Sequence, residues 1–351
     1  LVTGGKTTLN DVGTYYKKLC QLLKGKWIEY GHDNHLVINP VELVRDIKED
    51  MGFLLPILVE MASPNEGLTD FAQSVLQAHA IFCLKKAQEN NVVATVTDLV
   101  NSLSRGLVNP EKNSTPDRRV TDLAVQLSPF ARDGAYGRHF DGHSTVNFNN
   151  DFIVLELEGL KGRKNLQSVV LLCLIFLITQ DLTTGDKHTR KMVVIDEAWD
   201  LLSHKHAGTF IQNGYRRARK QNASFITITQ SFADYYQNDT ARAALENADI
   251  RFVLRQKEES LRFMESQKKV AFSPWEMNAI KNIRMREGEY SECLFSTPDT
   301  VPALLQIRFD PFSRLLYSSR ATDVARVETL MQKGLSVTDA ISTILESERA
   351  K

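Results

Sequence analysis

Two carboxylates and one amide in this chain stand where phosphoryl transfer would need them. Met192 to Ile195 are four consecutive apolar residues, the pattern of a parallel strand buried on both faces, and Asp196-Glu197 follow directly. Ser224 to Gln230, S-F-I-T-I-T-Q, is a second strand rich in β-branched residues and ends on an amide. Adjacent parallel strands open their carboxyl ends on one crevice, so Asp196, Glu197 and Gln230 are expected to converge there. One carboxylate would hold Mg²⁺ through its water shell, the other would polarise an attacking water, and the amide would sense a terminal phosphate. An acidic pair after a strand is also an ordinary helix start, because carboxylates offset the amino-terminal dipole. The chemical reading therefore requires a phosphate cradle elsewhere.

Gly4-Gly5-Lys6-Thr7-Thr8 reads as the tail of such a cradle. In that loop, glycines let backbone N–H groups wrap a β-phosphate, Lys6 would reach the β and γ oxygens, and Thr7 would ligate Mg²⁺ beside Asp196. The full pattern is G-x-x-x-x-G-K-[ST], whereas Gly4 here abuts Gly5. Asn10 then runs straight into Asp11, leaving no room for the helix that must follow a phosphate loop or for the strand that would carry Asp11 at its end. Either the loop is degenerate, or residues are absent between Gly4 and Gly5. Two local gaps of this kind, the second between Asn10 and Asp11, repair both faults. An opening on Leu1-Val2-Thr3-Gly4 without Met fits a fragment of a longer polypeptide.

Tyr215-Arg216-Arg217-Ala218-Arg219-Lys220 is the most basic stretch. A solvated helix face is its ordinary reading. Its place between the Asp-Glu strand and the Gln strand makes Arg216, Arg217 and Arg219 candidates to reach a γ-phosphate in a neighbouring subunit, where a guanidinium fork suits the ligand.

The elements that must position these groups follow from periodicity. Residues 1–40 and 128–322 read as a discontinuous α/β core with a mainly parallel central sheet. Residues 41–127 read as an inserted all-α subdomain, with Phe71, Val75, Ala78, Ile81 and Phe82 at helical spacing. Thr97-Asp98 and Thr115-Pro116-Asp117 look like helix starts. Phe152 to Leu157 is a further central strand, and Asn247 to Gln256 another. Ser291–Ser296 and Ala303–Arg308 form a hairpin-type pair, and Asp310-Pro311 starts a turn. Residues 323–351 are amphipathic helices around Gly334, with Leu330, Leu335, Val337, Ile341 and Ile344 as the buried stripe.

Lys plus Arg equals Asp plus Glu at 43 each, so overall charge asks for neither nucleic acid nor an anionic membrane. The four cysteines lack any CxxC spacing and read as reduced structural thiols. His139, His143, His188, His204 and His206 form no ligand set, which leaves Mg²⁺ arriving with nucleotide as the expected metal. The apolar run Val169 to Ile178 is too short to span a bilayer and reads as a core helix.

The order of these parts resembles the TraC-like class of type IV secretion ATPases, related to RecA, FtsK and HerA. The resemblance spans nearly the whole chain. It rests on G-K-T-T at Gly5 to Thr8, D-V-G-T-Y-Y-K-K-L at Asp11 to Leu19 and N-P at Asn39-Pro40, with F-A-R-D-G-A-Y-G-R-H-F-D-G at Phe130 to Gly142 the most particular. V-V-I-D-E-A-W at Val193 to Trp199, R-R-A-R-K at Arg216 to Lys220 and I-T-Q-S at Ile228 to Ser231 complete it. The resemblance implies a RecA-like P-loop NTPase core using ATP and Mg²⁺, with Lys6 and Thr7 as the Walker A pair, Asp196 and Glu197 as the Walker B pair, Gln230 as sensor, and Arg216, Arg217 or Arg219 as finger. It further implies a carboxy-terminal motor domain that assembles as a hexamer at the cytoplasmic face of a bacterial inner membrane. Its implied partners are secretion-channel proteins, a coupling ATPase, and pilin or another transfer substrate. A DNA translocase or coupling ATPase, and a non-hydrolysing scaffold with a degenerate loop, stand as alternatives.

Overall fold

The computed structural model describes residues 5–11, 14–30, 36–160, 162–198, 205–266 and 272–349. The chain forms two compact units, one of Leu1–Trp27, Asn150–Glu156 and Lys187–Lys351, the other of Ile28–Asn149 and Leu157–Asp186. Strands β1 (Lys6–Asp11), β2 (Lys26–Glu29), β3 (Phe152–Glu156), β4 (Lys191–Ile195) and β5 (Ala223–Thr227) make a sheet in the order β2-β3-β1-β4-β5. β1 pairs in parallel with β3 and β4, and β4 in parallel with β5. Lys6 lies opposite Lys191, and Lys191 opposite Ala223; Asn10 lies opposite Ile195, and Ile195 opposite Thr227. Amino ends therefore share one edge of the sheet and carboxyl ends the other. Helix α1 (Lys17–Leu22) lies on one face, with Cys20 and Leu19 packed on Leu9, Phe152, Val154 and Val194.

The helical unit holds α2 (Ile47–Ala62), α3 (Asp70–Glu89), α4 (Val96–Leu103), α5 (Arg118–Leu127), α6 (Gly137–Phe140) and α7 (Lys164–Thr184). Its starts follow local chemistry: the side chains of Asp46, Thr69, Thr95 and Asp117 accept from first-turn N–H groups, and Thr95 and Asp98 complete a capping box. Leu54, Leu58, Leu76, Leu99, Leu103 and Leu127 are buried. The unit is larger than the stretch 41–127 expected from sequence. It takes in the glycine-rich segment at Phe130 to Gly142, where a Cβ on Gly134 or Gly137 would overlap the carbonyls of Ser128 and Ala131. Asn39 ties the same segment down, donating from Nδ2 to the carbonyls of Ala94 (2.8 Å) and Gly142 (2.9 Å). Among the described residues α7 alone is long and apolar enough to cross a bilayer, longer than its ten-residue apolar run suggests. Leu166, Val169, Val170 and Cys173 on it are buried, and it packs along α2, as a core helix does.

In the first unit the chain continues through α8 (Lys205–Arg217), α9 (Asp239–Glu246), α10 (Glu258–Ser266) and α11 (Pro274–Lys281). A second, antiparallel sheet contains β6 (Arg251–Val253), β7 (Met285–Arg286), β8 (Tyr290–Ser296) and β9 (Ala303–Ile307), with β6 at its edge. The strand expected over Asn247 to Gln256 is thus only three residues long. Asp310-Pro311 is the amino-terminal cap and first residue of α12 (Pro311–Tyr317). Helices α13 (Ala321–Gln332) and α14 (Val337–Arg349) turn at Gly334, whose φ of 93° suits glycine, and bury Val327, Val337, Ile341 and Ile344.

Candidate functional site

The carboxyl edge of the parallel sheet gathers the acidic pair and the amide. Asp196 N–H donates to the Asn10 carbonyl (2.9 Å) and Ala198 N–H to that of Ile228 (2.9 Å), so the ladder runs on past β4 and holds residues 196–198 against both neighbouring strands. Glu197 takes a φ of 50°, a left-handed conformation that a side chain enters at some cost. Its amide donates to Asp196 Oδ1 (2.9 Å), and its Oε1 accepts from Gln230 Nε2 (2.7 Å). Asp196 Oδ2 accepts from the Tyr16 hydroxyl (2.8 Å). Convergence of Asp196, Glu197 and Gln230 is therefore a property of the fold, produced by two adjacent parallel strands of equal register.

Tyr16 reaches this edge because α1 is anchored on both sides. Cys20 is buried under the sheet face, and burial pushes its thiol up to about 11. Lys18, two residues earlier and so on the other side of the helix, is buried toward the carboxy-terminal helices, where its ammonium donates to the carbonyls of Leu315 (2.7 Å) and Ser318 (2.8 Å) at the end of α12. Desolvation lowers the Lys18 pKa, against the charges of Asp323 and Glu328, which raise it.

A third carboxylate, Asp234, stands beside the pair. It completes a capping box with Ser231 in the turn Phe232–Tyr236, accepting from Ser231 N–H (3.2 Å). Burial pushes its carboxyl above the ordinary range and the Glu197 charge adds to that, while the Ser231 N–H and the Gln237 amide favour the ionised form. Below it, Thr227 at the end of β5 bonds the hydroxyls of both Tyr215 (2.9 Å) and Tyr235 (2.8 Å). Burial pushes the Tyr235 phenol up to about 12, so both rings act as neutral braces that join α8 and the Phe232–Tyr236 turn to β5.

The expected cradle is not at this edge. Gly5 precedes β1, and Lys6, Thr7 and Thr8 are its first three residues, so the chain runs on as strand to Asp11 instead of entering a helix at Thr8; Gly4 lies outside the described residues. The amides that would wrap a phosphate are already used, Lys6 N–H by the Arg190 carbonyl (2.8 Å) and Thr7 N–H by that of Asp151 (2.7 Å). Lys6 pairs with Lys191, and the five residues from there to Asp196 span about 16 Å of strand. Within one copy of this chain, Lys6 and Thr7 are thus at the opposite edge from the carboxylates. The physical reason is the one the sequence hinted at: without a following helix, Gly5 to Thr8 form no anion nest and join the ladder instead.

Arg216, Arg217 and Arg219 also lie at the amino edge. α8 ends at Arg217 and a single turn, Ala218–Gln221, leads to Asn222, whose carbonyl accepts from Lys191 N–H (3.0 Å). All three guanidiniums are exposed. They do not meet the carboxylates of their own copy.

Tyr16, Asp234 and Thr227 were not singled out by residue chemistry. The S-x-x-D spacing at Ser231 to Asp234 is a readable capping box directly after the amide strand and could have flagged Asp234. Nothing local marks Tyr16, since its partner is 180 residues away.

The TraG P-loop domain family matches residues 2–348. Protein TraC of Escherichia coli (strain K12) is 28% identical over 349 residues, covering 97% of this chain and 39% of TraC, so the chain spans well under half of that relative. The structure of VirB4 of Thermoanaerobacter pseudethanolicus superposes with a TM-score of 0.69 at 23% identity, covering 89% of this chain and 84% of that one. The plasmid coupling protein TrwB in complex with ADP and Mg²⁺ follows at a TM-score of 0.53 and 12% identity, covering 87% and 85%. With the match running from one end of the fold to the other, the chain belongs to the TraG P-loop domain family.

Proposed function

We propose that this chain is the motor domain of a type IV secretion or conjugation ATPase, and that Glu197 orients the water attacking the γ-phosphate of ATP. The observation that carries this is the Gln230–Glu197 hydrogen bond beside an Asp196 whose second oxygen is held by Tyr16. The bond fixes the Glu197 carboxylate and ties its position to the amide that would face a terminal phosphate. Asp196 offers the hard oxygen that Mg²⁺ prefers, and would hold it through its water shell. Bound Mg²⁺ would neutralise charge on the phosphates. Positions of Arg216, Arg217 and Arg219 at the far edge support a role toward the site of a neighbouring copy in a ring, a hexamer in the family reading. In the family reading the chain would assemble with channel proteins and a coupling ATPase at the cytoplasmic face of the inner membrane, with pilin or another transfer substrate as cargo. A second reading, a fold that does not hydrolyse, is favoured by one observation: Lys6 and Thr7 spend their amides in the ladder.

ATP turnover by the oligomer of the full-length protein separates these readings. Glu197→Gln is expected to lower turnover by about a hundredfold or more while leaving nucleotide affinity within about threefold. Equal turnover in variant and parent would overturn the assignment. Turnover that rises steeply with added DNA and falls with salt would favour the coupling-ATPase alternative.

A further inference from the structure

Gln230 bonds Glu197 from the chain directly before the Ser231 cap of the turn Phe232–Tyr236. Within that turn, Ser231 N–H donates to Asp234 Oδ2 (3.2 Å) and the Ser231 hydroxyl accepts from Ala233 N–H (3.2 Å). These bonds stiffen the turn and leave its direction open. At its far end the Tyr235 hydroxyl bonds Thr227 (2.8 Å), which ties it to β5. At the end next to Gln230, the polar partners that Ser231 and Phe232 find elsewhere in the chain, among the described residues, are Gln256 and Ser260. The N–H of Phe232 is one of the first-turn donors that an intrinsic cap leaves over, because the Ser231 hydroxyl already serves Ala233. Gln256, three residues past β6, takes it at Oε1 (3.3 Å), and the same oxygen accepts from the Ser260 hydroxyl (2.9 Å). Ser260, buried in the first turn of α10, accepts in turn from the Ser231 hydroxyl (3.2 Å). The Gln256 Nε2 donates to the Leu254 carbonyl (3.3 Å), which directs Oε1 toward the turn. The Phe232 ring beside this ring of bonds is buried with Leu245, Val253 and Met264, so water is a poor substitute for the Gln256 oxygen.

We infer that Gln256 is a positioning residue for Gln230: its one oxygen gathers the Phe232 N–H and the Ser260 hydroxyl, and thereby holds the Gln230 amide on Glu197. Gln230 is one residue from Ser231, so a displacement of the turn by about 1 Å moves the amide by a similar distance. That carries its 2.7 Å bond to Glu197 past the roughly 3.5 Å at which a hydrogen bond is lost. Misplacement of about 1 Å at a reacting group costs on the order of ten- to a hundredfold in rate. The effect on turnover rests on the nucleotide reading above, whereas the hold on the Gln230 amide stands on the hydrogen bonds alone.

Three variants of the full-length protein test this. Gln256→Met keeps the length of the side chain and removes the acceptor, Gln256→Glu keeps the acceptor, and Ser260→Ala removes one arm of the ring and is the milder change. With glutamine side-chain amides labelled, and Gln230 assigned by its loss in Gln230→Glu, the Gln230 signal should move in Gln256→Met in the direction it moves in Glu197→Ala. It should move less in Ser260→Ala and return to the parent position in Gln256→Glu. Turnover should fall by about tenfold in Gln256→Met, with nucleotide affinity within about threefold, and recover in Gln256→Glu. A Gln230 signal that stays in place in Gln256→Met overturns the inference, and so does a signal that Gln256→Glu fails to restore. Should Gln256→Met not fold, the Gln230 signal of Ser260→Ala decides in the same way. A signal that moves while turnover stays at the parent's level upholds the hold on Gln230 and counts against the nucleotide reading instead.

Discussion

Glu197 offers a test in which strain and function separate. Its φ of 50° places a side chain where glycine is at ease, at the turn that brings the carboxylate to Gln230. Glu197→Gly and Glu197→Ala both remove the carboxylate and its bond to Gln230, so that loss cancels between them. Ala keeps the left-handed cost of about 1–2 kcal/mol, whereas Gly avoids it but adds about 0.5–1 kcal/mol of unfolded-state freedom. The difference leaves the Gly variant more stable by about 0.5–1 kcal/mol, read as a higher urea midpoint at unchanged slope. Neither variant should support turnover. An Ala variant as stable as the Gly variant, or more so, would refute the claim that the backbone is strained to present this carboxylate.

Two further outcomes follow from the geometry. Tyr16→Phe removes a hydrogen bond to the Asp196 carboxylate at a half-buried site, and should cost about 1 kcal/mol at neutral pH by urea titration. A loss within error of zero would mean that Asp196 is held by the Glu197 amide alone. His79 is buried in the helical unit between the Ser102 hydroxyl (2.8 Å) and the Leu107 carbonyl (2.7 Å). Burial lowers its pKa below the usual 6.5, the Leu107 carbonyl opposes this, and the Arg105 charge lowers it further. The unfolded chain then takes up this proton before the folded one does. Stability from this group is complete above about pH 6.5 and is lost as pH falls toward the lower folded value. Melting temperatures between pH 7.5 and 5.5 should fall less for His79→Gln than for the parent, and parallel curves would count against the assignment.

Much of the fold is legible because the sequence signals are short-range. The apolar run at Met192 to Ile195, the β-branched run at Ser224 to Gln230 and the hairpin pair near the end appear where their patterns put them. Equal register of β4 and β5 then brings Asp196, Glu197 and Gln230 to one edge without further information. The extent of the helical unit was less legible, since the turn at Phe130 to Gly142 belongs to it through contacts such as Asn39 with Gly142 rather than through composition. Lys6 misled for a similar reason. G-K-T-T is a loop signature only when a helix follows; without one, the same residues satisfy their amides as a strand, on the edge opposite the one their chemistry suggests.

Which edge of the parallel sheet receives the nucleotide is open to direct measurement. Mn²⁺ in place of Mg²⁺ with ADP, added to the full-length protein with backbone amides labelled, reports this through paramagnetic line broadening. Signals of Asp196, Glu197 and Ser231 at the carboxyl edge should broaden strongly, while those of Lys6, Lys191 and Ala223, about 16 Å away along the strands, change far less. Broadening centred on Lys6 with the Asp196 signals unchanged would contradict a nucleotide site at the carboxyl edge.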